Sequence, residues 1–341
     1  MAQQLYTLEP APPAARLVRV VEVHRDAIIV HDGARLLSAR ALPHLLQLLD
    51  TGGAAIAVGD WMLAESGAGG EHWLCALLEP LTHLARRTPD GRRQPLASNV
   101  DTALLVMGLD HDFNLRRMER YIALVQAAGV AAVVVLTKAD LAPDAGERLA
   151  QLEQRLPGSV PMFAVNALGG EGPLESQVSQ LLQPWLGSGQ TLVLLGSSGA
   201  GKSTLTNTLS GGNQPTGAAR QADSRGRHTT TARSLHPCPG GACIIDTPGL
   251  RSLQPDLDEA ALTAAFEDID ALAVQCQFRD CRHASEHGCA VREGVDADRL
   301  RNYHKLLREA RRTQQTPLDR IAQRARWKVL MKAAGLRDRS T

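Results

Sequence analysis

One octapeptide constrains the fold of this chain more than any other feature. Gly196-Ser197-Ser198-Gly199-Ala200-Gly201-Lys202-Ser203 fits G-x-x-x-x-G-K-S/T without exception, follows the apolar run 191–195 and leads into a helical segment. Such a loop functions only between a buried strand and a helix N-terminus. Its glycines let successive backbone N–H groups curl around an anion that the helix dipole favours. The residues around it must therefore build an α/β layer.

The neighbouring pattern agrees. Apolar runs at 103–107, 132–136, 161–165, 192–195 and 243–245 alternate with helical segments, and Phe113, Met118, Ile122 and Val125 recur at helical spacing before Gly129. Alternation of this kind predicts a parallel sheet covered by helices on both faces. Upstream, short strand-like runs at 17–23, 27–30, 58–63 and 73–78 are separated by turn signals such as Asp32-Gly33 and Gly52-Gly53. About five strands in so short a stretch predict a small OB-like barrel. Residues 86–95 are polar, basic and turn-rich and read as a linker. Beyond Gly249 no strand is evident, and 258–269 and 296–312 read as helices with a cysteine cluster in the loop between them.

A length of 341 residues exceeds one core of usual size, so two or three domains are expected. The longest unbroken apolar run, 130–136, is too short to cross a bilayer, and the first residues lack an export signal. A cytoplasmic monomer with no membrane partner is expected. The net charge of +1 hides an asymmetry, because residues 299–341 hold thirteen Lys/Arg against three Asp/Glu. A basic tail of this kind suits phosphates or an acidic surface.

In the phosphate loop, Lys202 would reach the β- and γ-oxygens of a nucleoside triphosphate, and Ser203, followed by Thr204, would offer its hydroxyl to Mg²⁺. Phosphate contacts do not choose a base. Thr137-Lys138-Ala139-Asp140, at the end of an apolar strand, does. The Asp140 carboxylate can accept two hydrogen bonds from guanine N1–H and its exocyclic amine, which adenine cannot offer, while the Lys138 stem lies along the base. This segment is similar to the N-K-x-D element of GTPases, with Thr137 in place of Asn, a change expected to remove one amide contact to the base or its neighbouring loop. Val165-Asn166-Ala167 resembles the S-A element, in which the Ala167 N–H meets guanine O6.

Asp246-Thr247-Pro248-Gly249 ends the run 243–245, where the carboxylate would hold Mg²⁺ through water and the Gly249 N–H would sense the γ-phosphate. The next residue, Leu250, cannot orient an attacking water as a Gln there would, so slow unassisted turnover is expected. Arg225-Gly226-Arg227-His228-Thr229-Thr230-Thr231 has the place and content of a first switch. Thr230 is expected on Mg²⁺, and His228 is the candidate for positioning the water. Finally, Cys276-x4-Cys281-x-His283-x5-Cys289 offers three thiolates and an imidazole, with His287 as a reserve ligand. That donor set suits a closed tetrahedral Zn²⁺ site, hence a structural one.

In an ordinary GTPase the phosphate loop comes first and the base-reading motif last; here the base motif precedes the loop, and the loop precedes both switches. This order, with Gly226-Arg227-His228-Thr229-Thr230-Thr231 and Asp246-Thr247-Pro248-Gly249-Leu250, resembles the RsgA/YjeQ-type bacterial ribosome-assembly GTPases. Val58-Gly59-Asp60-Trp61, Asn99-Val100-Asp101 and the cysteine cluster extend the resemblance over nearly the whole chain. It implies a multidomain protein: an N-terminal OB-like, RNA-binding β-barrel (1–90), a central circularly permuted α/β P-loop GTPase domain (91–253), and a C-terminal mainly helical zinc-binding domain with a basic tail (254–341). It further implies one Zn²⁺ per chain, Mg²⁺ with GTP, and hydrolysis of GTP to GDP stimulated by the small ribosomal subunit, whose rRNA the chain would contact during late maturation. The alternative is a nucleotide-gated RNA-binding scaffold with negligible turnover, which Leu250 and Thr137 would suit.

Overall fold

The computed structural model describes residues 15–51, 54–67, 69–88, 92–156, 158–166, 174–212, 233–249, 254–255 and 259–314. The chain divides into two compact units, Met1–Pro255 and Asp256–Thr341.

The first unit begins with a closed barrel. Its strands are β1 (Arg16–Val23), β2 (Ile28–His31), β3 (Leu36–Ala41), β4 (Trp61–Ser66) and β5 (His72–Leu77), with helix α1 (Pro43–Thr51) between β3 and β4. Pairing runs β1–β2–β3–β5–β4 and back to β1, antiparallel except for β3–β5. Alternation in the sequence sends Val18, Val20, Ile28, Val30, Ala39, Met62, Ala64 and Leu74 inward, and Leu45 of α1 joins this core.

The expected linker is instead a hairpin. β6 (His83–Arg87) and β7 (Arg93–Ser98) pair antiparallel, and Gln254–Pro255 (β14) adds to β6. The four arginines near the turn dominate the composition of this stretch, but Leu84, Ala85, Leu96 and Ala97 are buried and anchor both strands. β14 also supplies a strand after Gly249, where the sequence showed none.

The α/β layer follows: β8 (Thr102–Gly108), α2 (Leu115–Ala127), β9 (Ala131–Thr137), α3 (Ala145–Glu153), β10 (Met162–Ala164), α4 (Leu174–Leu182), β11 (Thr191–Gly196), α5 (Lys202–Ser210), β12 (Ser234–Pro237) and β13 (Cys243–Asp246). Strand order is β10-β9-β8-β11-β13-β12, with β12 antiparallel to β13 and the others parallel. Met118, Tyr121, Ile122 and Val125 of α2 lie in the core on one face, while Val178, Leu182, Leu205 and Leu209 of α4 and α5 lie in the core on the other. Asn114 caps α2, its side-chain oxygen accepting from the Arg117 N–H. Gly129 follows α2 at φ 67°, the left-handed conformation that a helix stop uses.

Barrel and sheet meet where two sequence motifs converge. Gly59 sits at φ +94°, and a Cβ there would lie 2.2 Å from the Ser98 carbonyl oxygen, so only glycine lets the two backbones approach. Asn99 Nδ2 donates to the Gly59 carbonyl at 3.1 Å, and Asp101 accepts from the Thr191 N–H at 2.7 Å. Arg19, stacked over Trp61, donates to Thr191 Oγ1 at 2.7 Å. One bridge, Glu22 to Ser234, continues the α/β sheet into the barrel.

In the second unit, α6 (Glu259–Ala265), α7 (Glu267–Ala273), α8 (Ala290–Gly294) and α9 (Ala297–Gln314) surround a small core containing Leu262, Phe266, Ile269, Val291 and Leu306. Arg299 stacks on Phe266 and makes a two-pronged ion pair with Asp268, at 2.6 and 2.8 Å. No described helix is long and apolar enough to cross a membrane.

Candidate nucleotide site and metal centre

From β8 the chain moves outward through β9 to β10, then returns to β11 on the other side of β8 and proceeds to β13. Parallel sheets bind ligands at such a reversal, outside the carboxyl ends of the strands. The phosphate loop, the base motif and Asp246 all leave the sheet at those ends.

The loop's shape follows from its glycines. A Cβ at Gly196 would lie 2.3 Å from the Val106 carbonyl oxygen, and Gly199 and Gly201 sit at φ +81° and +94°. Ser198 and Gly199 form an exposed crest, whereas Ala200 and Lys202 are buried. Lys202 Nζ donates to the carbonyl oxygens of Gly196 at 3.1 Å and Ser197 at 2.7 Å, so the lysine folds back along its own loop. Ser203 and Thr204 lie in the first turn of α5.

Thr137 is fully buried, and its hydroxyl donates to the Ala200 carbonyl at 2.7 Å. The contact to the neighbouring loop that a change from Asn was expected to cost is therefore present, carried by a hydroxyl. Lys138 takes the left-handed conformation at φ 60°, and its ammonium pairs with Asp110 at 2.7 Å. Asp140 is exposed, and its N–H donates to Asn166 Oδ1 at 2.8 Å. The Ala139 N–H donates to the Val165 carbonyl. Thus the strand ends carrying Asp140 and Asn166 are tied together.

Asp246 is buried at the end of β13, and the Thr247 hydroxyl donates to the Leu194 carbonyl at 2.6 Å, which ties the segment following β13 to the strand that leads into the phosphate loop. Gly249 rests on the loop itself, because a Cβ there would fall 2.5 Å from Ser198 N and Cα. The candidates Ala167, His228 and Thr230, and Leu250, lie outside the described residues.

Sequence reasoning passed over the segment joining β8 to α2. Asp112 accepts from Ser197 Oγ at 2.6 Å, from the Gly108 N–H at 3.2 Å and from Arg117 at 2.5 Å. Burial alone would raise the Asp110 carboxyl, but hydrogen bonds from Lys138 and the Asp112 N–H hold it below the usual range. The signal available was two aspartates directly after an apolar strand.

In the second unit, one ligand atom each from Cys276, Cys281, His283 and Cys289 lies within 4.8 Å of the others. The Cys276–Cys289 sulfur separation is 3.9 Å, and His283 Nδ1 lies 3.6 and 3.5 Å from those two sulfurs. A tetrahedron built on Zn–S of about 2.3 Å and Zn–N of about 2.0 Å has edges of about 3.8 and 3.5 Å. The donor set and its spacing therefore fit zinc. His283 stands at φ 57°, a strained conformation for a residue other than glycine, and its carbonyl accepts from His304 at 3.2 Å.

A phosphate loop at the switch point of a parallel sheet, entered from the base-motif side and preceded by a closed five-stranded barrel, defines a circularly permuted P-loop GTPase. The RsgA GTPase family profile matches residues 78–256. Over 327 residues the chain is 45% identical to the small ribosomal subunit biogenesis GTPase RsgA of Xanthomonas oryzae pv. oryzae (strain MAFF 311018), covering 93% of this chain and 87% of that protein. The protein of the same description from Xanthomonas campestris pv. campestris (strain B100) gives the same figures. The crystal structure of YjeQ from Thermotoga maritima superposes with a TM-score of 0.62 at 22% identity, covering 87% of this chain and 98% of that one. YloQ, a circularly permuted GTPase, gives 0.60 at 20% identity, with 91% and 100% covered. The chain belongs to the RsgA GTPase family, whose members hydrolyse GTP.

Proposed function

We propose that this protein binds the small ribosomal subunit in the cytoplasm and assists its late maturation, hydrolysing GTP to GDP and phosphate under stimulation by the subunit. The observation that supports the reading is the latch from Thr137 to Ala200, which ties the end of β9, just ahead of Asp140, to the phosphate loop. Residues 1–90 and 254–341 serve the ribosome, and 91–253 serve the nucleotide.

Loop amides and the N-terminus of α5 surround the β-phosphate, and Lys202 exchanges its two carbonyl partners for β- and γ-oxygens. Ser203, Thr230 and Asp246 would hold Mg²⁺, which would neutralise charge building on the phosphates. Asp140 selects guanine, aided by Asn166 and the Ala167 N–H. Gly249, already against Ser198, reports the γ-phosphate, and His228 orients the water that Leu250 cannot. Zn²⁺ at Cys276, Cys281, His283 and Cys289 staples a segment with little core of its own. Arginines of the β6–β7 hairpin and the basic 299–341 segment supply salt-dependent contacts to rRNA.

Hydrolysis of GTP and ATP, each with and without purified small subunits, tests the proposal. Strong stimulation restricted to GTP is expected. GTP binding with no cleavage under either condition favours a nucleotide-gated scaffold instead.

A further inference from the structure

The segment between β8 and α2 carries two carboxylates beside a site built for a polyanion. Unneutralised, they would oppose the ligand, yet each is matched before any nucleotide arrives. Asp110 pairs with Lys138 at 2.7 Å and approaches His111 Nδ1 at 3.4 Å. Asp112 meets the Arg117 guanidinium and also accepts from the phosphate loop through Ser197 Oγ at 2.6 Å. Arg148 completes the bracket: it donates to the carbonyls of Leu109 at 2.8 Å and Asp110 at 3.2 Å, and lies over the Phe113 ring.

We propose that Asp110 and Asp112 are positioning residues of the nucleotide site, Asp110 setting the Lys138 stem against the base and Asp112 setting the phosphate loop through Ser197. The inference rests on the guanine-nucleotide reading above. Its physical basis is the permuted order. Lys138 and Ser197 belong to motifs that the chain separates widely, and Asp110 and Asp112 lie two residues apart on the turn that touches both. Lys138 is a flexible side chain about a quarter exposed, so an anion at a defined point removes rotamer freedom that binding would otherwise have to remove. Ser197 faces Asp112 while the neighbouring Ser198 is exposed on the crest, so Asp112 grips the loop without competing for phosphate.

The test is GDP affinity, by fluorescent-nucleotide titration, in two double-mutant cycles: Asp110→Asn with Lys138→Met, and Asp112→Asn with Ser197→Ala. Asp110→Asn and Asp112→Asn are each expected to weaken GDP by about threefold to tenfold. Each double variant should be no weaker than its weaker single variant, and Asp110→Glu, which restores the anion, should recover most of what Asp110→Asn loses. Full additivity in both cycles, single variants indistinguishable from the parent, or a Glu variant no better than Asn overturns the proposal. If Asp112→Asn does not fold, Ser197→Ala alone reads the same link, and unchanged affinity there overturns it. Failure of the underlying reading looks different: the parent protein would bind GDP no better than ADP.

Discussion

Thr137→Val removes one hydroxyl and almost no volume from a fully buried site. In the intact protein that hydroxyl donates to the Ala200 carbonyl at 2.7 Å and lies 3.5 Å from the Met107 carbonyl. Because valine fills nearly the same space, no cavity opens; what changes is the exchange of a hydroxyl for a methyl and the loss of one buried hydrogen bond to a loop carbonyl. Such a loss costs about 1 to 2 kcal/mol, a factor of about 5 to 30 in an equilibrium constant. The bond exists without nucleotide, so it preorganises the loop; once it is gone, part of the ordering must be done on binding. GDP affinity should therefore fall by about 5- to 30-fold, mainly through faster dissociation seen in stopped-flow chase experiments. Amide exchange in residues 196–204 of the free protein should accelerate. Thr137→Ser, which keeps the donor, should stay close to the parent. A valine variant whose GDP affinity lies within about twofold of the parent, with unaltered exchange in the loop, refutes the latch.

Gly249→Ala places a methyl 2.5 Å from Ser198 N and Cα, so the second switch or the loop must move; single-turnover GTP hydrolysis with small subunits should fall by about tenfold to a hundredfold, with GDP affinity less affected. Burial raises the Asp60 carboxyl to about 6, despite hydrogen bonds from the Ala57 N–H and Ser98 that favour the anion. Its folded value thus lies above the ordinary 3.8, so its stabilisation is complete below about pH 4 and is lost as pH rises through about 6. Urea titrations of Asp60→Asn should show a flatter pH dependence than the parent between about pH 4 and 7. Freshly purified protein should contain about one zinc per chain, and Cys289→Ser or strong chelation should remove it with loss of helical circular dichroism; metal content near zero in the untreated protein refutes the centre.

Legibility in the sequence followed how local each constraint is. The phosphate loop could be read because Gly196, Gly199 and Gly201 meet backbone requirements that few other residues satisfy. The barrel could be read because alternation along one strand decides which side chains face inward, as with Val18 and Val20. The β6–β7 hairpin was masked by arginines at its turn, while the burial that fixes it rests on Leu84 and Leu96. The partners of Thr137, Asp110 and Asp112 lie 63, 28 and 85 residues away, and nothing short of the assembled sheet brings them together. Thr137 shows the difficulty well: a substitution that reads as a loss in a motif is, in three dimensions, a different donor to the same loop.

The strand order β10-β9-β8-β11-β13-β12 also sets a timetable for the nascent chain. The barrel can close once β5 has emerged, but β8 then pairs with β9 while its other edge waits for β11. At ribosomal elongation rates the stretch between Gly108 and Thr191 takes roughly 4 to 17 s to make. Throughout that interval β8 keeps one row of backbone N–H and C=O groups unpaired, an edge of the type that recruits foreign strands. Guanine nucleotide offers no rescue, because its phosphate cradle is synthesised after its base pocket. Ligand can therefore stabilise only the finished molecule.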